Sequence, residues 1–305
     1  MSLIAITGAT GFVGSAVLNE ALAQGHQVKA LARREQAARA GVEWVSGDLG
    51  DTAALSALVA GADAVVHVAG LTNTPDPAEF EVANVTGTAN VIAAMVQADV
   101  RRLVLVSSLA AREPKLSAYG ASKARAETLV EASGLDWTMV RPPAVYGPRD
   151  IDMLDLFRAA KWGVVPLPPG GATSIIHADD LARLLVTLAA GNAAPTKKRI
   201  YEPDDGREGG WSHKELAQAI GQAVGKRSVL APHLPRTILD AAATADRLLR
   251  GDRAKLTPDR VGYMAHPNWV SRSDRKVPPG IWQPRIGGEE GLKATAEWYK
   301  REGWV

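Results

Sequence analysis

Leu3-Ile-Ala-Ile-Thr-Gly-Ala-Thr-Gly-Phe-Val-Gly14 is the stretch that decides the fold. Leu3–Thr7 is an apolar run too short for a helix and ended by glycine, the pattern of a strand buried on both faces of a parallel sheet. Gly8, Gly11 and Gly14 follow three apart, and an amphipathic helical pattern then runs to about Gln24. Glycines at that spacing across a strand-to-helix turn let the backbone approach a pyrophosphate, with the amino end of the helix facing the negative charge. A tight turn with a packing glycine uses the same residues, but a strand before and a helix after form the context a dinucleotide loop needs. Gly8, Thr10, Gly11, Phe12, Val13 and Gly14 are therefore candidate cofactor contacts.

Outward from this loop, strands and helices alternate with short connections to about residue 141, which predicts a doubly wound parallel sheet. A second strand covers 28–32. Dinucleotide folds place an acid at its end to bind ribose hydroxyls, but here Ala32 is followed by Arg33 and Arg34. Paired arginines on a loop are often only solvated; at this location two guanidiniums without an acid suit a 2′-phosphate. Residues 42–49 form a third strand with Asp48 at its exit, placed to meet an adenine amino group, and Leu49 beside it. A helix over 53–60 leads to a fourth strand, 63–70, whose Ala69-Gly70 end again permits close backbone approach. His67 lies inside that apolar run and reads as a hydrogen-bonded core histidine rather than a catalyst. A helix over 78–97 carries Asn84, and a fifth strand, 102–108, ends in Ser107 and Ser108 at the sheet edge where ligands bind.

Tyr119-Gly-Ala-Ser-Lys123 opens an alanine-rich helical stretch, Ala118–Ala132. Positions i and i+4 share a helix face, so the lysine charge sits one turn from the phenol and favours the phenolate. An unperturbed tyrosine titrates near ~10; brought nearer neutrality, it can exchange a proton with a hydroxyl or carbonyl oxygen.

The remainder of the chain narrows the function by exclusion. In 305 residues, 35 Lys and Arg balance 33 Asp and Glu, which gives no reason to expect nucleic acid or an anionic membrane as partner. Zero cysteines exclude thiolate catalysis and cysteine metal sites, and the six histidines are scattered without metal-ligand spacing, so no metal is expected. No apolar run reaches membrane-spanning length, and Met1-Ser-Leu3 leads directly into a strand, which predicts a soluble, cytoplasmic protein. The second half is less regular. Helices are expected over 154–160, 234–249, 258–265 and 289–301, and Ser212-x-x-Glu215 is a capping box that starts another. Five of the eight tryptophans lie beyond residue 210, where they are expected to pin late helices to a core rather than form a lid.

Thr7-Gly-Ala-Thr-Gly-Phe-Val-Gly14, Asp48-Leu49, His67-Val-Ala-Gly70, Asn84-x-x-Gly-Thr88, Ser107-Ser108, Tyr119-Gly-Ala-Ser-Lys123, Arg141-Pro-Pro-x-Val-Tyr-Gly-Pro148 and His177-Ala-Asp-Asp180 occur in order. With them the chain resembles the extended short-chain dehydrogenase/reductases, the NAD-dependent epimerase/dehydratase superfamily, over residues 3 to about 225. The resemblance implies a Rossmann domain over 1–150, with 174–202 returning to it. It also implies a smaller, mainly helical substrate domain from 151–173 and 203–305. By the same resemblance Ser108 holds the substrate oxygen, Tyr119 is the acid/base, and Lys123 binds the nicotinamide ribose while tuning Tyr119. Ala69, Gly70, Asn84 and Pro142 join the cofactor contacts, and Val145 offers its backbone to the carboxamide. Two departures matter. Leu109 and Ala110 follow Ser108 where family dehydratases carry an acidic pair, and residues 170–176 lack the arginine expected of nucleotide-sugar members.

The expectation is an NADP(H)-dependent reductase, with NADP(H) favoured over NAD(H), acting on a ketone or aldehyde of a small molecule with little charge. A pocket drawn from Thr72, Asn73, Ala111, Pro143 and Phe157 is mostly apolar or neutral. The alternatives are a nucleotide-sugar epimerase with tightly bound NAD, or a non-catalytic NADP-binding assembly or regulatory protein. A homodimer is left open.

Overall fold

Short apolar runs without polar alternation make strands that need cover on both faces. In the computed structural model, which describes residues 1–251 and 254–305, they assemble into one parallel sheet. Strands β1 (Leu3–Thr7), β2 (Gln27–Ala32), β3 (Val42–Ser46), β4 (Ala64–His67), β5 (Arg102–Val106) and β6 (Asp136–Val140) alternate with helices. The helices are α1 (Phe12–Ala23), α2 (Thr52–Val59), α3 (Pro77–Phe80), α4 (Gly87–Gln97) and α5 (Ala118–Ala132). A late strand, β10 (Arg199–Tyr201), adds beside β6, giving seven strands in the order β10-β6-β5-β4-β1-β2-β3. Every pairing in it is parallel, so the doubly wound Rossmann-type sheet stands. The chain winds outward from β1 to β3 and then crosses to β4 on the other side of β1. That reversal opens a crevice at the carboxyl ends of β1 and β4, where open α/β sheets bind ligands. β4 and β5 are buried along their whole length, and Leu55, Leu58, Val91 and Met95 pack against the sheet at 0% exposure.

One element departs from expectation within this unit. The helix read over 78–97 is broken: α3 ends at Phe80, a π-turn spans Glu81–Thr86, and α4 starts at Gly87. A π-turn inserts a residue into the helical ladder, and such turns recur at functional sites. Here it carries Asn84, whose side chain grips the Leu71 backbone through both its N–H and its C=O.

The chain divides into two compact units, Met1–Arg141 with Leu181–Tyr201, and Pro142–Asp180 with Glu202–Val305. The sequence suggests boundaries at 150 and 174–202; the structure draws them at Arg141 and Leu181–Tyr201 because of a local pairing. Strands β7 (Ala144–Tyr146) and β9 (Ile175–His177) pair with each other in parallel, as a two-stranded sheet apart from the large one. Both segments therefore belong to the second unit, and helix α7 (Ala178–Ala190) then carries the chain back into the first. A small sheet in the second unit sets β8 (Ala172–Thr173) between β11 (Trp211–Ser212) and β12 (Asn268–Trp269). The helices of this unit are α6 (Leu154–Lys161), α8 (His213–Ala223), α9 (Arg236–Arg250), α10 (Pro258–Met264) and α11 (Gly288–Arg301). Ser212 and Glu215 cap α8 reciprocally, as the Ser-x-x-Glu spacing predicts. Phe157, expected to face a substrate, is instead fully buried with its ring edge-on to Tyr299 at 5.1 Å. Trp298 and Trp304 extend the same aromatic packing with ring centroids 5.0 Å apart, and Trp211 and Trp282 are buried. Among the described residues no helix is long and apolar enough to cross a membrane.

Candidate active site

The glycine loop is shaped by contacts that admit no side chain. Gly8 has φ +72°, and a Cβ there would lie 2.7 Å from the Ala69 nitrogen, so the carboxyl ends of β1 and β4 touch through it. A Cβ on Gly14 would lie 2.0 Å from the Gly8 carbonyl oxygen, which makes Gly14 the residue that seats α1 on the loop. Gly11 is the N-cap of α1, without a side-chain cap, and its own missing Cβ would meet only the Gly8 oxygen at 3.3 Å. The first-turn N–H groups of α1, from Phe12, Val13 and Gly14, are thus left for an outside acceptor, the arrangement that suits a phosphate. Thr10 is exposed beside them.

Past β2, Ala32 is buried, and Arg33 and Arg34 are both exposed. Asp48 is exposed beyond β3 and accepts from the Gly50 N–H at 2.8 Å. Leu49 packs where a Cβ on Gly87 would sit, 2.6 Å from its Cδ1. Gly70 brings two distant residues together: a Cβ there would lie 2.8 Å from Asn84 Oδ1 and 3.0 Å from Lys123 Nζ. Only a glycine lets the end of β4 come this close to an amide and an ammonium.

The helix α5 supplies that ammonium. Ser117 caps it by accepting from the Gly120 N–H at 2.9 Å, and a Cβ on Gly120 would stand 2.7 Å from the Ala110 carbonyl oxygen. That close approach sets the start of α5 against the 3-10 turn Leu109–Arg112, which Ser108 heads by accepting from the Ala110 N–H at 3.1 Å. Because Ser108 Oγ accepts there, its own hydrogen is free to point elsewhere. Tyr119 is 8% exposed and packs against Phe80 with ring centroids 5.7 Å apart. Lys123 is buried one turn on and donates to the Val106 carbonyl at 3.1 Å. Burial pushes its pKa down to about 8, against the pull of Glu127.

Glu127, a further turn along, escaped the sequence reading. Its carboxylate accepts from Arg141 Nε at 2.8 Å and Arg141 Nη2 at 2.5 Å, and from Ser107 Oγ at 2.5 Å. The available signal was its i+4 offset from Lys123, which puts Tyr119, Lys123 and Glu127 on one face. Pro142 and Val145 lie in the second unit, Val145 opposite Ile176 in the β7–β9 pair. Among the described residues no cluster of His, Asp or Glu could hold a metal ion.

A family described as NAD(P)H-binding matches residues 8–191. A ceramide reductase from Caulobacter vibrioides is 33% identical over 311 aligned residues, covering 99% of this chain and 96% of its own. A 2-alkyl-3-oxoalkanoate reductase from Stenotrophomonas maltophilia is 30% identical, covering 95% of this chain and 97% of its own. In structure, the UDP-glucose 4-epimerase of Thermus thermophilus, solved with NAD, superposes with a TM-score of 0.70 at 22% identity. It covers 98% of this chain and 99% of its own, and shares the fold. The chain belongs to the NAD(P)H-binding family, and its motifs resemble those of the extended short-chain dehydrogenase/reductases. It is an enzyme of the NAD(P)-dependent oxidoreductase type.

Proposed function

We propose that the protein is an NADP(H)-dependent ketoreductase whose substrate carries its carbonyl beside an apolar chain. The observation that carries this reading is the close approach of Gly70 to Asn84 and to Lys123, the last on the same helix as Tyr119, in a chain with full-length relatives named as reductases. When bound, the dinucleotide supplies the hydride. Ser108, whose hydrogen is free, donates to the substrate oxygen; Tyr119 delivers the proton that turns that oxygen into a hydroxyl; Lys123 holds the ribose and keeps a positive charge near the phenol. The name of the Stenotrophomonas relative places a 3-oxo group next to an alkyl substituent, and the Caulobacter relative is named for ceramide. An alkyl ketone, including the 3-oxo group of an alkyl-chain acyl compound, is therefore the substrate class proposed. NADPH absorbance followed over a panel of such ketones, with UDP-sugars as controls, tests this. Consumption of NADPH with alkyl ketones is expected. Interconversion of UDP-sugars without net NADPH loss would replace the reading with an epimerase.

Cofactor choice is proposed to rest on Arg33, with Arg34 beside it. Ala32 has no group to accept from ribose hydroxyls, whereas an exposed guanidinium can pair with a 2′-phosphate. A charge-assisted contact of this kind is worth ~1.5–3 kcal/mol, or about ten- to a hundredfold in affinity. NADP(H) is thus expected to bind at least about tenfold more tightly than NAD(H), and Arg33→Ala to remove most of that gap without changing NAD(H) affinity. Titration of both dinucleotides by tryptophan fluorescence checks it, and equal wild-type affinities would refute it.

A further inference from the structure

Buried hydroxyls and one imidazole are joined end to end in the first unit. Thr7 Oγ1 and His67 Nδ1 are 2.6 Å apart, His67 Nε2 and Thr88 Oγ1 are 3.0 Å apart, and Thr88 Oγ1 donates to the Asn84 carbonyl at 2.6 Å. The last bond sets the direction of the others. A carbonyl only accepts and a hydroxyl has one hydrogen, so Thr88 can offer His67 nothing but a lone pair. Nε2 must carry the ring hydrogen. In a neutral ring Nδ1 is then the acceptor, and it takes the hydrogen of Thr7 Oγ1. A lone pair on Thr7 Oγ1 is left for the Ala69 N–H, which lies 3.2 Å away. One arrangement of protons satisfies every atom in the chain, and it requires a neutral imidazole. Burial, with Lys123 acting in the same direction, pushes the ring's pKa down to about 3.

From Asn84 the chain continues. Its Nδ2 donates to the Leu71 carbonyl at 3.0 Å and to Ser122 Oγ at 2.9 Å, and Ser122 Oγ donates to the Tyr119 carbonyl at 2.8 Å. The connected residues are those that shape the site: Thr7 precedes Gly8, Ala69 precedes Gly70, and Tyr119 lies in the first turn of α5. An apolar side chain would fill the same core space at less cost, because a buried polar ring is tolerated only when its nitrogens are bonded.

We propose that His67 is a positioning residue: as the neutral Nε2–H tautomer it locks the carboxyl ends of β1 and β4 to the Asn84 turn, and through Ser122 to the first turn of the Tyr119 helix. The consequence for turnover rests on Tyr119 being the acid/base; the tautomer does not, so the two can fail separately.

Nitrogen-15 spectra of the whole protein at neutral pH, with the His67 ring assigned by its disappearance in His67→Gln, read the tautomer directly. A protonated Nε2 and bare Nδ1 are expected, and an Nδ1–H tautomer or an imidazolium would overturn the proposal. Glutamine keeps one acceptor and one N–H donor, whereas leucine keeps only bulk. Leaving the buried Thr7 hydrogen without an acceptor and cutting the link to Thr88 should make His67→Leu lower kcat/KM by about tenfold or more, while His67→Gln stays within about threefold of wild type. Leucine performing as well as glutamine would reduce His67 to packing. Should His67→Leu fail to fold, Thr88→Val, which removes the acceptor of Nε2–H together with the donor to the Asn84 carbonyl, is expected to lower kcat/KM by a similar factor. Wild-type activity in that variant would end the proposal.

Discussion

Replacing Tyr119 with phenylalanine is expected to lower turnover by ~10²–10⁴-fold, the range a general acid contributes, with dinucleotide affinity nearly unchanged. The substitution isolates the hydroxyl. Tyr119 is 8% exposed and packs against Phe80, contacts that a phenylalanine ring reproduces, so folding should be little affected. What disappears is the proposed proton donor on the same helix face as Lys123. Single-turnover measurements with NADPH and an accepted ketone separate this from a binding defect, and turnover within about tenfold of wild type would remove Tyr119 from the chemistry. The neighbouring lysine gives the wild type a companion signature in pH. With the Lys123 pKa lowered to about 8, kcat/KM should fall as pH rises through that value and the ammonium loses its charge. Stability responds with the opposite sign. Between about 8 and the ordinary lysine value of 10.5 the unfolded chain binds the extra proton, so this group's contribution to folding rises with pH. An activity limb caused by unfolding would show both falling together, and a flat kcat/KM across that window would remove the lysine charge from the mechanism.

Glu127→Ala is expected to destabilise the protein by ~3–5 kcal/mol, the loss typical when one partner of a buried ion pair is removed. The carboxylate is 6% exposed and Arg141 14%, and Ser107 donates to the same carboxylate. Alanine takes the carboxylate from a mostly buried guanidinium and strands the Ser107 hydroxyl. Glu127→Gln preserves the shape and one acceptor, so its loss should be smaller. Urea unfolding of the three proteins measures the difference. A Glu127→Ala midpoint indistinguishable from wild type would mean that the pair carries no stability, whereas a large loss in alanine with partial recovery in glutamine fits the geometry.

Features encoded within a few consecutive residues are legible in the sequence alone. Leu3–Thr7 has only one way to bury both faces, Gly8 and Gly14 sit where backbone must meet backbone, and Tyr119 with Lys123 needs only a helix to share a face. The Ser212–Glu215 cap is equally local. Tertiary structure decided what depends on segments far apart in the chain. Thr7 and His67 meet across 60 positions, Gly70 makes room for Lys123, and Glu127 finds Arg141 only when α5 lies along β6. The pairing of Ala144–Tyr146 with Ile175–His177, which takes both segments out of the large sheet, has no local signature either. Nor does the π-turn at Glu81–Thr86: helical periodicity reads through it, and the grip of Asn84 on the Leu71 backbone that accompanies it exists only after the chain has folded. Local periodicity and steric demand are written in neighbouring residues. Burial, charge pairing and the direction of a hydrogen-bond chain are properties of what the fold brings alongside them.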